Sequence, residues 1–245
     1  MNILREVDLS VFRIFPGNRP IDKGNLNKLK LSIEERNLLE QRPILVNQQM
    51  QVLDGQHRLQ AAKDLGLPIY YLVKAEGDYR DIILMNENQR NWKNEDFLRL
   101  YSEGLKNPNY EELTLFLKDH NFDLRQGLLI VNGPIKQMKE HSDFRSGQFK
   151  FSLTREQLDE TADKVKAFWA ILAEHGVKPL HRFKSTACLK PFLLFITMPQ
   201  VKWETFLSKL EVSWYKLGVR PSVNLYLDMF CDIYNYRTQN KVHLS

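Results

Sequence analysis

Val52-Leu53-Asp54-Gly55-Gln56-His57-Arg58-Leu59-Gln60-Ala61-Ala62-Lys63-Asp64-Leu65-Gly66-Leu67-Pro68 is the stretch whose reading decides the fold. Val52 and Leu53 close an apolar run, Asp54-Gly55 is turn chemistry, and Leu59, Ala61, Ala62 and Leu65 then recur at helical spacing. Gly66 followed by Pro68 supplies a helix stop. A strand therefore ends and a helix begins across Gly55. At such a junction glycine permits close backbone approach, the first-turn N–H groups lack helical partners, and Arg58 adds a forked cation one turn in. Those groups suit an anionic phosphate. The same five residues, Asp54 to Arg58, also read as a plain turn with His57 and Arg58 solvated, because Asp-Gly turns are common.

Working outward, Pro43-Ile44-Leu45-Val46 and Gln51-Val52-Leu53 flank a polar Asn47-Gln48-Gln49 break and predict a β-hairpin. Residues 25–37, with Leu26, Leu29, Leu31 and Ile33 among charges, predict an amphipathic helix. Ile69 to Val73 is a dense β run suited to burial. Helix, hairpin, helix and strand make a small α+β domain. From Asp78 onward the chain reads as helical, over 79–86, 94–105, 110–118, 124–131, 155–174, 184–196, 202–217 and 225–236. The segment 136–151, with Gly147 in it, is the best linker candidate. The predicted domains are 1–93, a helical segment 94–145 and an all-helical domain 146–245.

At 245 residues and 43% hydrophobic composition the chain is long and apolar enough to bury cores, which excludes disorder as its main state. Cys188 and Cys231 are too few and too far apart for a disulfide framework or a cysteine-built zinc site. Residues 1–6 lack the layout of a signal peptide, and no apolar run nears the roughly 18 residues of a membrane span. A cytoplasmic protein with no membrane partner is expected. Lys plus Arg exceed Asp plus Glu by 35 to 30, and the excess is uneven: 16 against 15 up to Asn107, 19 against 15 after it. A phosphate backbone would therefore lie more readily on the second half.

Three groups of residues together resemble a known family. The 43–46 run followed by 52–68 resembles the N-terminal domain shared by ParB partition proteins and sulfiredoxins. Asn18-Arg19-Pro20 with Leu31-Ser32-Ile33 looks like the family's first box, and Asn86-Glu87-Asn88-Gln89-Arg90 looks like its third. The resemblance covers residues 8–100, about two fifths of the chain. It implies a ParB/sulfiredoxin-like fold for 1–93 and a nucleotide- or phosphate-binding cleft lined by Arg19, Asp54, Gly55, Gln56, His57, Arg58, Gln89 and Arg90. The implied ligand is a nucleoside triphosphate, CTP or ATP, with Mg2+ held through Glu87. Were the cleft catalytic, Glu87 and Gln56 would be its catalytic residues.

Departures from the family pattern matter. The second box reads Gly55-Gln56-His57-Arg58-Leu59-Gln60-Ala61, so His57 and Gln60 stand where partition proteins carry arginines, and fewer fixed cations imply weaker triphosphate binding or a different phosphate ligand. Asn86 occupies the position of the family's metal-binding glutamate, and a neutral amide is a poor ligand for a hard cation. Gln56 replaces the sulfiredoxin cysteine, which excludes thiolate chemistry in that form. The Gln-His-Arg version resembles ParB-like proteins of phages and mobile elements, often labelled nucleases on fold analogy alone.

Residues 110–118 and 124–131 could form a helix-turn-helix, with Arg125 and Gln126 as base readers, although plain helical packing fits them equally. The tail, with Arg237 and Lys241 beside Tyr234 and Tyr236, combines charge and rings in a way that suits nucleic acid, or a solvated terminus. The remaining C-terminal aromatics recur at helical spacing and read as core. The expectation is a nucleotide- or phosphate-binding protein acting on or near DNA, with a homodimer among its expected assemblies. Two alternatives stay open: a nucleotide-dependent hydrolase, phosphotransferase or nuclease using the same cleft, and a non-catalytic interaction protein whose site has degenerated.

Overall fold

The computed structural model describes residues 2–74, 92–133, 139–238 and 241. The chain divides into two compact units, Met1–Thr114 and Leu115–Ser245. The first contains strand β1 (Leu4–Glu6), β2 (Arg13–Ile14), helix α1 (Lys23–Glu35), β3 (Ile44–Val46), β4 (Gln51–Asp54), α2 (Gln56–Leu65), β5 (Ile69–Val73) and α3 (Asn94–Arg99), which runs on into a π-helical turn at Leu100–Gly104. Helix α4 (Pro108–His120) runs across the division.

The strands form one sheet in the order β1-β5-β3-β4-β2. β3 and β4 pair antiparallel as the predicted hairpin, while β3 runs parallel to β5 and β2 parallel to β4. Asn47 makes the hairpin turn. Its Oδ1 accepts from the N–H groups of Gln49 and Gln51 at 3.0 and 2.9 Å, so the polar break is a side-chain-bonded turn. Leu26 and Ile33 of α1 and Leu59, Ala61 and Ala62 of α2 bury together with Ile44, Val46, Val52 and Ile69 in one core. Fully burying an aliphatic side chain of this size contributes about 1.5–3 kcal/mol relative to exposure.

Two details differ from the sequence expectation. Helix α1 starts two residues earlier than the apolar pattern indicates, because Asp22 caps it by accepting from the Asn25 N–H at 2.9 Å. The edge strands β1 and β2 carry no legible alternation, since they are only three and two residues long and expose Leu4 and Ile14.

The second unit is helical: α5 (Leu124–Asn132), α6 (Lys139–Arg145), α7 (Arg155–Glu174), α8 (Leu180–Phe183), α9 (Thr186–Ile196), α10 (Trp203–Ser213) and α11 (Val223–Tyr234). Its core is aromatic. Phe168 and Phe192 stack at 4.5 Å, Phe195 meets Phe206 edge-on at 4.9 Å, and Phe230 touches both Phe192 and Phe195. Most of the aromatics read as core are buried, while Trp203 and Trp214 are half-buried and Tyr215 is exposed. The linker candidate at 136–151 contains α6, and within it Phe144 and Phe149 are buried against each other at 5.9 Å. Two buried rings give that segment a packing role that its glycine and charges do not advertise. Among the described residues no helix is long and apolar enough to cross a membrane.

Candidate functional site

The strand-to-helix junction forms as predicted, with Gly55 between β4 and α2 at φ 94°, ψ 22°. A side chain there is excluded by strain and by space: a Cβ would fall 2.6 Å from Ile44 Cγ2 and 2.9 Å from an Arg58 guanidinium nitrogen. Because the cap residue is glycine, no side chain among the described residues caps α2. The cap residue therefore offers no side-chain acceptor to the first-turn N–H groups. They are the donors to which a helix adds its positive dipole end.

Around this helix start lies a cleft of about 780 Å³. It is lined on one side by the 18–22 segment, with Asn25 and Leu29 of α1 beside it, and on the other by residues 53–58. Arg42, Lys93 and Asp96 complete the wall. The 18–22 segment is anchored at several points. Asn18 donates to the Val52 carbonyl at 2.9 Å, and the Arg19 guanidinium sits 5.8 Å over the ring of buried Trp92. Just before it, Pro16-Gly17 crosses the Leu100–Gly104 turn at a distance only glycine tolerates, since a Cβ on Gly104 would overlap the Pro16 carbonyl.

Each residue of the second box has a definite position. Arg58 turns back: its NH2 donates to Asp54 Oδ2 at 2.6 Å and its NH1 to the Arg42 carbonyl at 3.0 Å. The fork that the sequence offers to an anion thus ties α2 to β4 and to the chain before β3. His57 Nε2 accepts from the Asp22 N–H at 3.0 Å, which places the ring proton on Nδ1. Burial lowers the imidazole pKa from its ordinary value of 6.5, the nearby Arg19 charge lowers it further, and the Asp22 carboxylate opposes both. His57 is therefore held neutral and supports the residue that caps α1. Gln56 is buried, its Nε2 donating to the Arg19 carbonyl at 2.8 Å. Gln60, the other departure from the family box, bonds Asp64 at 2.7 Å on the surface of α2.

No family model and no curated protein matches the chain.

Of the predicted cleft residues, Arg19, Asp54, Gly55, Gln56, His57 and Arg58 line one cleft. Glu87, Gln89 and Arg90, together with Asn86, lie outside the described residues. Sequence reasoning missed Asp22, Arg42, Lys93 and Asp96. Asp22 had a signal, a carboxylate three residues before Asn25 at a helix start, and Asp96 repeats it by accepting from the Lys93 N–H at 2.9 Å. Arg42 had none, because its place at the cleft depends on the path of the chain into β3.

Among the described residues no cluster of three or more His, Cys, Asp or Glu side chains that could hold a metal is found, and Glu87, the expected magnesium ligand, lies outside them.

The DNA-binding candidates are dispersed. Gln126 is taken up in a capping box with Asp123, its Oε1 accepting from the Asp123 N–H at 3.0 Å, and its Nε2 donates to the Lys184 carbonyl at 2.8 Å. Both ends of the amide that would read a base edge are in use by the protein. Arg125 is exposed beside it. Arg237 is exposed and lies 5.1 Å over the Tyr236 ring, which Lys216 also approaches at 5.0 Å; Lys241 is exposed. Tyr215 shares a hydrogen bond with Tyr236 and stays 58% exposed, an aromatic outside the core that helical spacing assigned to it.

Proposed function

We propose that the cleft at the start of α2 binds a phosphorylated ligand, with a nucleotide as the ligand class, in the manner of the ParB-like domains that the three boxes resemble. The observation that carries this reading is the uncapped N-terminus of a ten-residue helix opening into a cleft lined by Arg19, Arg42, Arg58 and Lys93. A helix N-terminus with a glycine cap and cations around it favours an anion through oriented N–H groups and dipole together. The charge count agrees in sign: Arg19, Arg42, Arg58 and Lys93 stand against Asp22, Asp54 and Asp96, which leaves the lining one positive charge in excess, with Arg58 paired to Asp54.

The site acts as a binding site in this proposal. No hydrolytic step is assigned, because Glu87, the carboxylate expected to carry it, lies outside the described residues. An action on DNA rests on the basic excess after Asn107 and on exposed Arg125, Arg237 and Lys241, with the Tyr215–Tyr236 pair as a stacking surface.

Calorimetric titration with ATP, CTP, GTP, UTP and inorganic tripolyphosphate, with and without magnesium, tests the cleft. Saturable binding that persists without magnesium is expected. Failure of all five probes to bind at millimolar concentration rejects the reading. For DNA, association that weakens steeply between about 50 and 200 mM salt is expected, and no association with single- or double-stranded DNA at the lower salt leaves the interaction-protein reading in its place.

A further inference from the structure

Gln56 holds the most unusual polar atom of the cleft. The residue is only 9% exposed, it is the first residue of α2, and it lines the cleft. Its Nε2 faces the Arg19 carbonyl, an acceptor, so the orientation of the amide is fixed by chemistry. The other end, Oε1, is buried with no hydrogen-bond partner. Buried acceptors without a donor are rare, and one that sits between two lining residues of a cleft asks for a donor from whatever the cleft binds. A fully ionised phosphate ester only accepts, and a free phosphate, which keeps a P–OH at neutral pH, is far smaller than the cleft.

The rest of the wall points the same way. Beside the cationic helix start the cleft presents the apolar side chains of Pro20, Ile21, Leu29 and Leu53. Its volume of about 780 Å³ falls within the range of roughly 300–1,000 Å³ typical of sites for organic ligands and far exceeds what an inorganic anion fills.

We infer that Gln56 selects the ligand: the cleft takes an organic phosphate that carries a hydrogen-bond donor, a sugar hydroxyl or an amine, within reach of its anionic group, and Gln56 Oε1 accepts from that donor. This rests on the phosphate-binding reading above and adds to it the residue that discriminates among ligands of that class. Oε1 has essentially no accessible surface, so accepting from the ligand requires the 18–22 segment, whose Arg19 carbonyl the same amide holds, to shift. Gln56 is thus the link between ligand recognition and the position of that segment.

Four probes separate the two donor sources: CTP carries both hydroxyls and amine, UTP lacks the amine, 2′,3′-dideoxy-CTP lacks the hydroxyls, and tripolyphosphate lacks both. In the full-length protein the expected result is CTP binding at least about tenfold tighter than tripolyphosphate, the size of one buried acceptor gaining its donor. The weaker of UTP and dideoxy-CTP names the donor. Gln56→Met, which keeps length and removes both polar atoms, should cut the preference for CTP about tenfold, leaving what the apolar wall supplies. Gln56→Glu keeps acceptor oxygens but adds negative charge, so both affinities fall while the preference for CTP remains; it also guards against a Gln56→Met variant that fails to fold. Equal binding of CTP and tripolyphosphate by the parent, or a preference unchanged by Gln56→Met, overturns the role of Gln56 and leaves the phosphate site standing. Absence of binding by all four probes overturns both.

Discussion

Helices α2 and α5 begin in opposite ways. At the start of α5, Asp123 Oδ1 accepts from the Gln126 N–H at 2.8 Å and Gln126 Oε1 accepts from the Asp123 N–H at 3.0 Å, so a reciprocal capping box closes the helix with its own side chains. At the start of α2 the cap is Gly55 in the left-handed region, which has no side chain to offer. Both helices follow a short loop and both carry an arginine in the first turn, Arg125 and Arg58. One has satisfied its donors internally, and the other presents them to a cleft. A single residue at the cap position decides whether a side chain closes the helix start.

The comparison is broken most severely at Gly55. Gly55→Ala should destabilise the first unit by about 2–4 kcal/mol, from the left-handed backbone and the overlap with Ile44, and should abolish ligand binding; urea denaturation followed by circular dichroism measures the first and calorimetry the second. A variant as stable as the parent would show that the turn can re-form without glycine.

Arg58→Ala comes next. It removes the Asp54 ion pair and the bond to the Arg42 carbonyl, so we expect a loss of about 1–3 kcal/mol in stability and more than tenfold in phosphate affinity. Arg58→Lys keeps the charge and loses the fork, and it should recover affinity better than stability if the anion needs charge alone. Unchanged affinity in Arg58→Ala would assign the residue wholly to tying α2 to β4.

At the other helix, Asp123→Ala should cost about 1 kcal/mol through loss of the cap, with cleft binding unaltered. A shift in the thermal midpoint without any change in CTP titration is the expected pair of readings, and altered titration would mean that the two helix starts do not behave independently.

The smallest effect concerns pH. His57 has a folded pKa below its ordinary 6.5, so the unfolded chain binds the proton more readily. Its contribution to stability is present above pH 6.5 and declines as pH falls through the folded value. Protonation also puts a hydrogen on Nε2, where the Asp22 N–H now donates. His57→Gln should flatten the slope of stability against pH just below 6.5; an unaltered slope would place the titration on another group.

Much of the frame was legible because local physics set it. The period of Leu59, Ala61, Ala62 and Leu65, the Gly66 stop, the polar break at Asn47 and the β-rich run 69–73 each fixed an element to within a residue or two. Residues 155–174 form the predicted helix with its bounds unchanged. The edge strands and the buried Phe144–Phe149 pair were not legible, the first being too short for a period, the second having no local pattern to announce its packing. The candidate site was half legible. Gly55, Gln56 and His57 were named at the helix start, but Arg42 and Asp96 reach the cleft from parts of the chain 12 and more residues away.

The sequence by itself determined that a glycine stands between a strand and a helix, that charged and amide side chains follow it, and that two cysteines leave no room for thiol chemistry at that turn. Only the tertiary structure decided what those side chains do. Arg58 is turned onto Asp54, His57 props up the cap of α1, and Gln56 Nε2 meets a carbonyl from 37 residues earlier while its Oε1 meets nothing. Backbone conformation and helix phase depend on neighbours within a turn or two, which a sequence displays. Hydrogen-bond partners and burial depend on which distant segments the core brings together, and a linear pattern carries no record of that.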